Sequence, residues 1–392
     1  MSDQFTEVTS QGYFSRLGGS FFGVLIGFVL VAGSVFLLYW NEGRAVQAIG
    51  ALERAQKEVV EIKADPADGA ANTRLVHVSG DMTAAQPARD AKFGVTGPGL
   101  ARLRRTAEMY QWKQEEHEES HTSVGGTKTT EKTYTYTKVW SEEPIDSSSF
   151  KADNHRNPPM PVRSETFDGG DVKLGAYRLE PSVLDQVDAF KPFDGSGGEA
   201  PAGWRRDGDE FYHGAGPGSP AIGDVRVRFT AVPGQTISVV AKLAGGALVE
   251  YRDPDGYRIA LVEPGTVSAD ELFKAKQQEE NLWTWILRGA GFVLMLIGFM
   301  LIAGPISMVL AFLPFLEGIA ETGVFIVAVT ISVPLTLVVV AVAWIAHRPV
   351  YGIGLLVAAV GAFILFRRMH KRPVAVAARP GTTPFMPPGM TS

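Results

Sequence analysis

The sequence predicts a polytopic α-helical membrane protein that carries a β-rich α+β extramembrane domain. Two observations predict this class. The 392-residue chain has a long uncharged segment near its N-terminus and further uncharged segments near its C-terminus. The polar stretch between them consists largely of short alternating segments that are typical of β-strands. We expect four transmembrane helices, one before the domain and three after it.

The first span is predicted at residues 20–40. No charged side chain lies between Arg16 and Glu42, and a helix needs about 20 apolar residues to cross the hydrocarbon layer. A cleaved signal peptide is not expected, because it would have a basic start and an apolar run of only about 7–15 residues. Tyr39 and Trp40 suit the headgroup level, where amphipathic aromatic rings are enriched. Residues 1–19 are predicted to form a cytoplasmic N-terminus.

Three further spans are predicted after the domain. Residues 283–304 form the second span, and residues 305–321 form an interfacial or re-entrant segment that contains two prolines. Proline removes a backbone donor and kinks or ends a helix, which favours a break in this segment. Residues 322–346 and 350–366 then form the third and fourth spans.

The basic residues set the predicted orientation. Arg367, Arg368, Lys371 and Arg372 begin the tail 367–392, and an excess of basic residues beside a span marks its cytoplasmic end. The domain at residues 41–282 is therefore expected on the non-cytoplasmic side. Four crossings return the N-terminus to the cytoplasm.

The domain is predicted to begin and end with helices that continue into the membrane. The stretch "VQAIGALERAQKEVVEI" has apolar residues at near-helical spacing and extends the first span. Gly125–Gly126 divides two Thr- and Tyr-rich arms, which predicts a long β-hairpin, and residues 223–265 alternate as three or four strands. Ser268 before Glu271 matches a capping box that starts the helix of the second span.

Composition excludes some function classes. The chain has no cysteine, so disulfides, thiol catalysis and thiolate metal sites are excluded. The formal net charge is −5 and no long basic block occurs, which argues against nucleic acid as a partner. No cofactor is expected.

One segment matches a metalloprotease motif. In "HEESH", His117 and His121 would bind Zn²⁺ on one face of a helix and Glu118 would act as general base. The flanking residues are polar and supply no apolar face to hold such a helix rigidly. We favour a solvated strand end, with no metal site, and keep a zinc metalloprotease as the less favoured alternative.

Interaction residues are predicted where the chain meets the membrane. Trp283 and Trp285 mirror Tyr39 and Trp40 as interfacial anchors. Arg288 lies at the start of the second span and is expected to extend its charged end to the headgroups. The predicted interaction residues are Asn41, Glu42, Gly43, Arg44, Trp283, Trp285 and Arg288.

Several segments together resemble the transmembrane protein 43 family, also called LUMA. The resemblance implies four transmembrane helices and a large domain in the lumen of the endoplasmic reticulum or its bacterial equivalent. It also implies a link to the nuclear inner membrane in eukaryotes, a role in organising membrane protein complexes, and a suggested role touching lipid. The segments are "NEGRA" (41–45), "MYQW" (109–112), "YTYTKVW" (134–140), "FYH" (211–213), "GDVRVRF" (223–229), "LWTWILRGAG" (282–291) and "HRP" (347–349).

The predicted function is that of a non-enzymatic membrane protein that scaffolds other membrane components. The expected partners are membrane lipids, other membrane proteins and further copies of the chain. The predicted location is the bacterial inner membrane in a prokaryote, or the endoplasmic reticulum and nuclear inner membrane in a eukaryote. The alternative is a lipid-directed protein that binds or modifies lipid, which would need an apolar groove opening toward the headgroups.

Overall fold

The computed structural model describes residues 4–67, 69–123, 127–195, 197–306 and 314–347. The α-helices within them are α1 (Tyr13–Glu58), α2 (Pro181–Leu184), α3 (Ala269–Ile302) and α4 (Pro314–His347). The strands are β1 (Gln4–Gln11), β2 (Val60–Lys63), β3 (Leu75–Gln86), β4 (Arg89–Asp90), β5 (Val95–Thr96), β6 (Leu100–Thr122), β7 (Lys128–Ser141), β8 (Glu165–Asp168), β9 (Gly170–Leu174), β10 (Tyr177–Leu179), β11 (Lys191–Phe193), β12 (Trp204–Asp207), β13 (Glu210–His213), β14 (Val225–Pro233), β15 (Thr236–Ala244), β16 (Ala247–Val249), β17 (Tyr251–Arg252), β18 (Arg258–Ile259) and β19 (Leu261–Pro264).

Three described helices are long and apolar enough to cross a membrane. They lie at Phe21–Glu58 in α1, Ala269–Ile302 in α3 and Thr322–His347 in α4. They contain most of the spans predicted at 20–40, 283–304 and 322–346. The fourth predicted span at 350–366 and the tail 367–392 lie outside the described residues.

The helices differ from the predicted boundaries in two places. Helix α1 runs without interruption for 46 residues, from the apolar segment into the domain, so the predicted extension of the first span is confirmed as far as Glu58. Helix α4 begins at Pro314 instead of residue 322, because proline is tolerated in the first turn of a helix. The predicted interfacial segment 305–321 is therefore partly helix, and its residues 307–313 lie outside the described residues.

The extramembrane domain contains two large sheets, as the strand-like sequence pattern predicts. The first sheet has the order β1-β7-β6-β14-β13-β12, with β8 on β6 and β11 on β14. The predicted long hairpin is its β6–β7 pair, in which Met109 to Thr122 pair with Ser141 to Lys128. In the second sheet the additional β15–β3 pairing closes β3, β15, β16, β10 and β9 into a five-stranded ring.

The domain core continues directly into the helices that lead to the membrane. Leu52 of α1 and Phe273 of α3 are fully buried together with residues of β3 and β15. The predicted capping box is confirmed at the start of α3, where Ser268 and Glu271 hydrogen-bond each other's backbone. Burial of this apolar surface fixes the domain to both helices.

The apolar parts of α1 and α3 pack at very short range. A Cβ atom on Gly27 would lie 2.6 Å from the carbonyl oxygen of Gly298, and a Cβ atom on Gly291 would lie 2.7 Å from the side chain of Leu38. Small residues at such positions let helix backbones approach closely within a membrane. The two helices therefore form one tightly packed pair.

The N-terminal strand contradicts part of the predicted topology. Residues Gln4–Gln11 of β1 pair antiparallel with Lys128–Thr135 of β7, although residues 1–19 were expected on the opposite side of the membrane from the domain. A polar two-stranded ribbon cannot cross hydrocarbon, because its edges and charged side chains would be unsatisfied there. Pairing of β1 with β7 is therefore incompatible with a cytoplasmic N-terminus and a non-cytoplasmic domain.

Candidate functional site

The residues after the first apolar segment build a buried ion pair between α1, α3 and α4. Glu42 is 2% exposed, and its two carboxylate oxygens accept hydrogen bonds from Nε and Nη2 of Arg288 at 2.6 and 2.8 Å. Nε1 of Trp344 donates a third hydrogen bond to Glu42 at 2.7 Å. A bidentate arginine–carboxylate pair is among the stronger side-chain interactions, and its geometry fixes the orientation of both groups. Glu42 thus links the three helices at one point.

A second polar cluster lies one turn further along α1. Arg44 donates from Nη1 to Glu280 at 2.5 Å and from Nη2 to the hydroxyl of Thr284 at 3.3 Å. The hydroxyl of Tyr257, from a loop of the domain, donates to Glu280 at 2.9 Å. Burial, and then this hydrogen bond, raise the pKa of Tyr257 above its ordinary value. The cluster therefore connects α1 and α3 to the domain.

Asn41 and Gly43 complete the contact region. The buried Asn41 amide donates to the backbone carbonyl of Thr284 at 3.1 Å. A Cβ atom on Gly43 would lie 2.7 Å from Nε2 of His347, at the end of α4. Any side chain at position 43 would push this part of α4 away from α1.

Five of the seven predicted interaction residues therefore meet in one place. Trp283 and Trp285 instead face outward, and Trp285 is 68% exposed with Arg288 stacked 4.7 Å from its ring. The expected extension of Arg288 to the headgroups is wrong, because Glu42 lies within reach and binds it twice.

Sequence reasoning missed the partners on α3 and α4. Glu280, Thr284 and Arg288 follow one another at four-residue spacing, which places them on one helix face toward α1. This periodicity at the polar start of an apolar helix was the available signal. The contribution of Trp344 had no comparable signal, because its indole reaches Glu42 across 302 residues of sequence.

The zinc metalloprotease hypothesis is wrong, because the "HEESH" segment is part of strand β6. Successive strand residues point to opposite faces, so Glu118 lies on the other face from His117 and His121. His117 is 76% exposed at the side chain and its nearest acidic partner is Glu119, at 3.6 Å. Within the described residues, no group of three or more His, Asp or Glu side chains could hold a metal ion.

An open cleft of about 840 Å³ lies along the outer side of α1 beside the polar clusters. It begins at exposed aromatic side chains of the apolar segment and ends at charged side chains near the domain. Its lining residues are Phe36, Tyr39, Trp40, Gly43, Arg44, Val46, Gln47, Gly50, Arg54, Asp255 and His347.

Three long apolar helices joined to a β-rich domain define an integral membrane protein with an extramembrane domain. The family model of Transmembrane protein 43 matches residues 109–349, which is more than half of the chain. The chain therefore belongs to the transmembrane protein 43 family, as the sequence resemblance indicates.

Similarity to individual members extends over most of the chain. Transmembrane protein 43 of Homo sapiens is 31% identical over 356 residues, which cover 87% of this chain and 88% of the human protein. The homolog of Drosophila melanogaster is 31% identical over 353 residues, which cover 88% of this chain and 94% of the fly protein. No solved structure matches the chain significantly.

Proposed function

We propose that this protein is a non-enzymatic scaffold that organises membrane protein complexes. The observation that carries the proposal is the rigid connection between the domain and the membrane helices. Helices α1 and α3 enter the domain core without interruption, and the Glu42–Arg288 and Arg44–Glu280 pairs hold them together where they leave the apolar region. A domain held in this way presents its surface to neighbouring membrane components at a constant orientation.

The expected partners are other membrane proteins, membrane lipids and further copies of the chain. We place the domain on the non-cytoplasmic side, because the basic tail that begins at Arg367 favours a cytoplasmic C-terminus. The proposed location is the bacterial inner membrane in a prokaryote, or the endoplasmic reticulum and nuclear inner membrane in a eukaryote. Nucleic acid is not among the proposed partners, since the net charge of −5 disfavours it.

The test is photo-crosslinking of the full chain in intact membranes, followed by mass spectrometry of proteins and lipids. One photoreactive residue replaces the exposed His117 on the β6–β7 hairpin, and another replaces the exposed Trp285 at the junction. A third replaces Leu337, an exposed apolar residue within α4, and serves as the control that reports lipid neighbours.

A scaffold is expected to give the same few protein crosslinks, including crosslinks between copies, from positions 117 or 285 in repeated preparations. Position 337 should give mainly lipid adducts. Lipid adducts alone at all three positions would contradict the scaffold and favour the lipid-directed alternative.

A further inference from the structure

The cleft beside α1 follows one face of this helix. Six lining residues occur at alternating spacings of four and three, which places them on a single stripe of a helix. At a rise of about 1.5 Å per residue, the stripe is about 27 Å long. Its members are Phe36, Trp40, Gly43, Gln47, Gly50 and Arg54.

The chemistry of the stripe changes from apolar to charged along its length. Phe36 is 70% exposed and Trp40 is exposed beside it, within and at the edge of the apolar segment. Aromatic side chains are enriched at this level because they combine an apolar body with a polar edge. Gly43 and Gly50 carry no side chain, so the middle of the stripe is a groove. The cleft therefore has the polarity profile of a lipid that stands in the bilayer.

The charged end of the cleft offers unused hydrogen-bond donors. Nε and Nη2 of Arg54 bind Asp253, and Nη2 also binds Asp255. The two N–H groups of Nη1 have no acceptor among the described residues, and Nη1 lies 3.5 Å from where a Cβ atom of Gly50 would be. These donors point to an anionic oxygen placed over Gly50.

The same end also offers an acceptor for a cation. The side chain of Asp255 is 56% exposed and shares only one hydrogen bond with Arg54. A ligand that satisfies both Arg54 and Asp255 must carry a negative and a positive group a few ångströms apart. An anionic headgroup would leave Asp255 without a partner and would be repelled by it.

We propose that this cleft binds one molecule of phosphatidylethanolamine. The phosphate accepts hydrogen bonds from Nη1 of Arg54, and the primary ammonium donates to the Asp255 carboxylate. The acyl chains pass along Phe36 and Trp40 into the bilayer. Phosphatidylcholine fits less well, because its quaternary ammonium has no N–H to donate. This site goes beyond the proposed scaffold and does not depend on it.

The test measures lipids retained by the purified full-length protein with native mass spectrometry. The protein is equilibrated in mixed detergent micelles that contain equal amounts of phosphatidylethanolamine, phosphatidylcholine and phosphatidylglycerol. The unmodified protein is expected to retain one phosphatidylethanolamine with about tenfold enrichment over the others, since a hydrogen bond to a charged group supports a preference of that size.

Two variants and one control separate the site from general lipid binding. Gly50→Leu fills the groove, and its Cβ atom meets no atom closer than 3.5 Å, so the fold should persist while the bound lipid is lost. Gly33→Leu is the same change on the same helix outside the cleft, with no atom within 4 Å of its Cβ, and should leave retention unchanged. Asp255→Asn should retain lipid but lose the preference for phosphatidylethanolamine over phosphatidylcholine.

Equal retention by Gly50→Leu and the unmodified protein would overturn the proposal. A preference for phosphatidylglycerol, or an unchanged preference in Asp255→Asn, would overturn it equally. The Asp255→Asn result keeps the proposal falsifiable if Gly50→Leu fails to fold.

Discussion

Replacement of Arg288 by methionine tests whether the ion pair between the helices holds them together. The change removes two of the three hydrogen bonds to Glu42 and leaves a charged carboxylate that is 2% exposed, with only the indole of Trp344 as a partner. Breaking a buried pair in this way costs about 3–5 kcal/mol, because an uncompensated charge stays buried. We therefore expect the free energy of unfolding to fall by about that amount.

The magnitude should depend on which partner is removed. Glu42→Gln leaves the partly exposed Arg288 free to turn toward the headgroups, so its expected cost is smaller, about 1–2 kcal/mol. The double variant Glu42→Gln with Arg288→Met removes both charges and keeps an acceptor for Trp344. We expect it to be more stable than Arg288→Met alone.

The assay is denaturant unfolding of the protein in detergent micelles, followed by tryptophan fluorescence and circular dichroism. Lys113→Met is the matched control, because it breaks an exposed pair with Glu115 whose expected contribution is about 0–1 kcal/mol. If Arg288→Met were as mild as this control, the reasoning would be refuted. The same holds if the double variant were no more stable than Arg288→Met.

Further predictions concern the helix pair, the N-terminal strand and the response to acid. Gly27→Leu should separate α1 from α3 and cost about 1–3 kcal/mol, whereas Gly33→Leu, which meets no atom, should cost little in the same unfolding assay. Cysteines at Ser10 and Thr129, opposite each other in β1 and β7, should be joined by a short bifunctional thiol reagent in intact membranes; labelling of the two from opposite sides of the membrane would instead restore the predicted topology. The pKa of Asp253 is lowered, chiefly by the hydrogen bond from Arg54, so its contribution to stability is present above the unfolded pKa of about 3.9 and is lost as pH falls through the folded value. Asp253→Asn should therefore lower the melting temperature at pH 7 and have little effect at pH 2–3, and an equal effect at both pH values would contradict this assignment.

The features that the sequence predicts correctly are those encoded locally. The capping box at Ser268 needs only residues three apart, and the β6–β7 hairpin needs only a turn between two alternating arms. Strand β1 was not predicted, because its partner is more than 120 residues away and its own eight residues are ordinary. The pairing of Arg288 with Glu42 was missed for the same reason, since 246 residues separate them.

The site shows the same division between local and distant information. The sequence placed the contact region at residues 41–44 from the change in polarity alone. It did not show that Gly43 and Gly50, seven residues apart, form the floor of a groove. That property requires the loop of Asp255 and the end of α4 to stand on either side of α1.

The unbroken length of α1 sets a height. Leu52, which belongs to the domain core, follows Trp40 by twelve residues, or about 18 Å of helix. Neither a proline nor a break lies between them, so the core cannot sink toward the headgroups or rise from them without bending the helix. A neighbouring membrane protein would therefore meet the polar junction first and the β-sheets only if it projects at least that far from the bilayer.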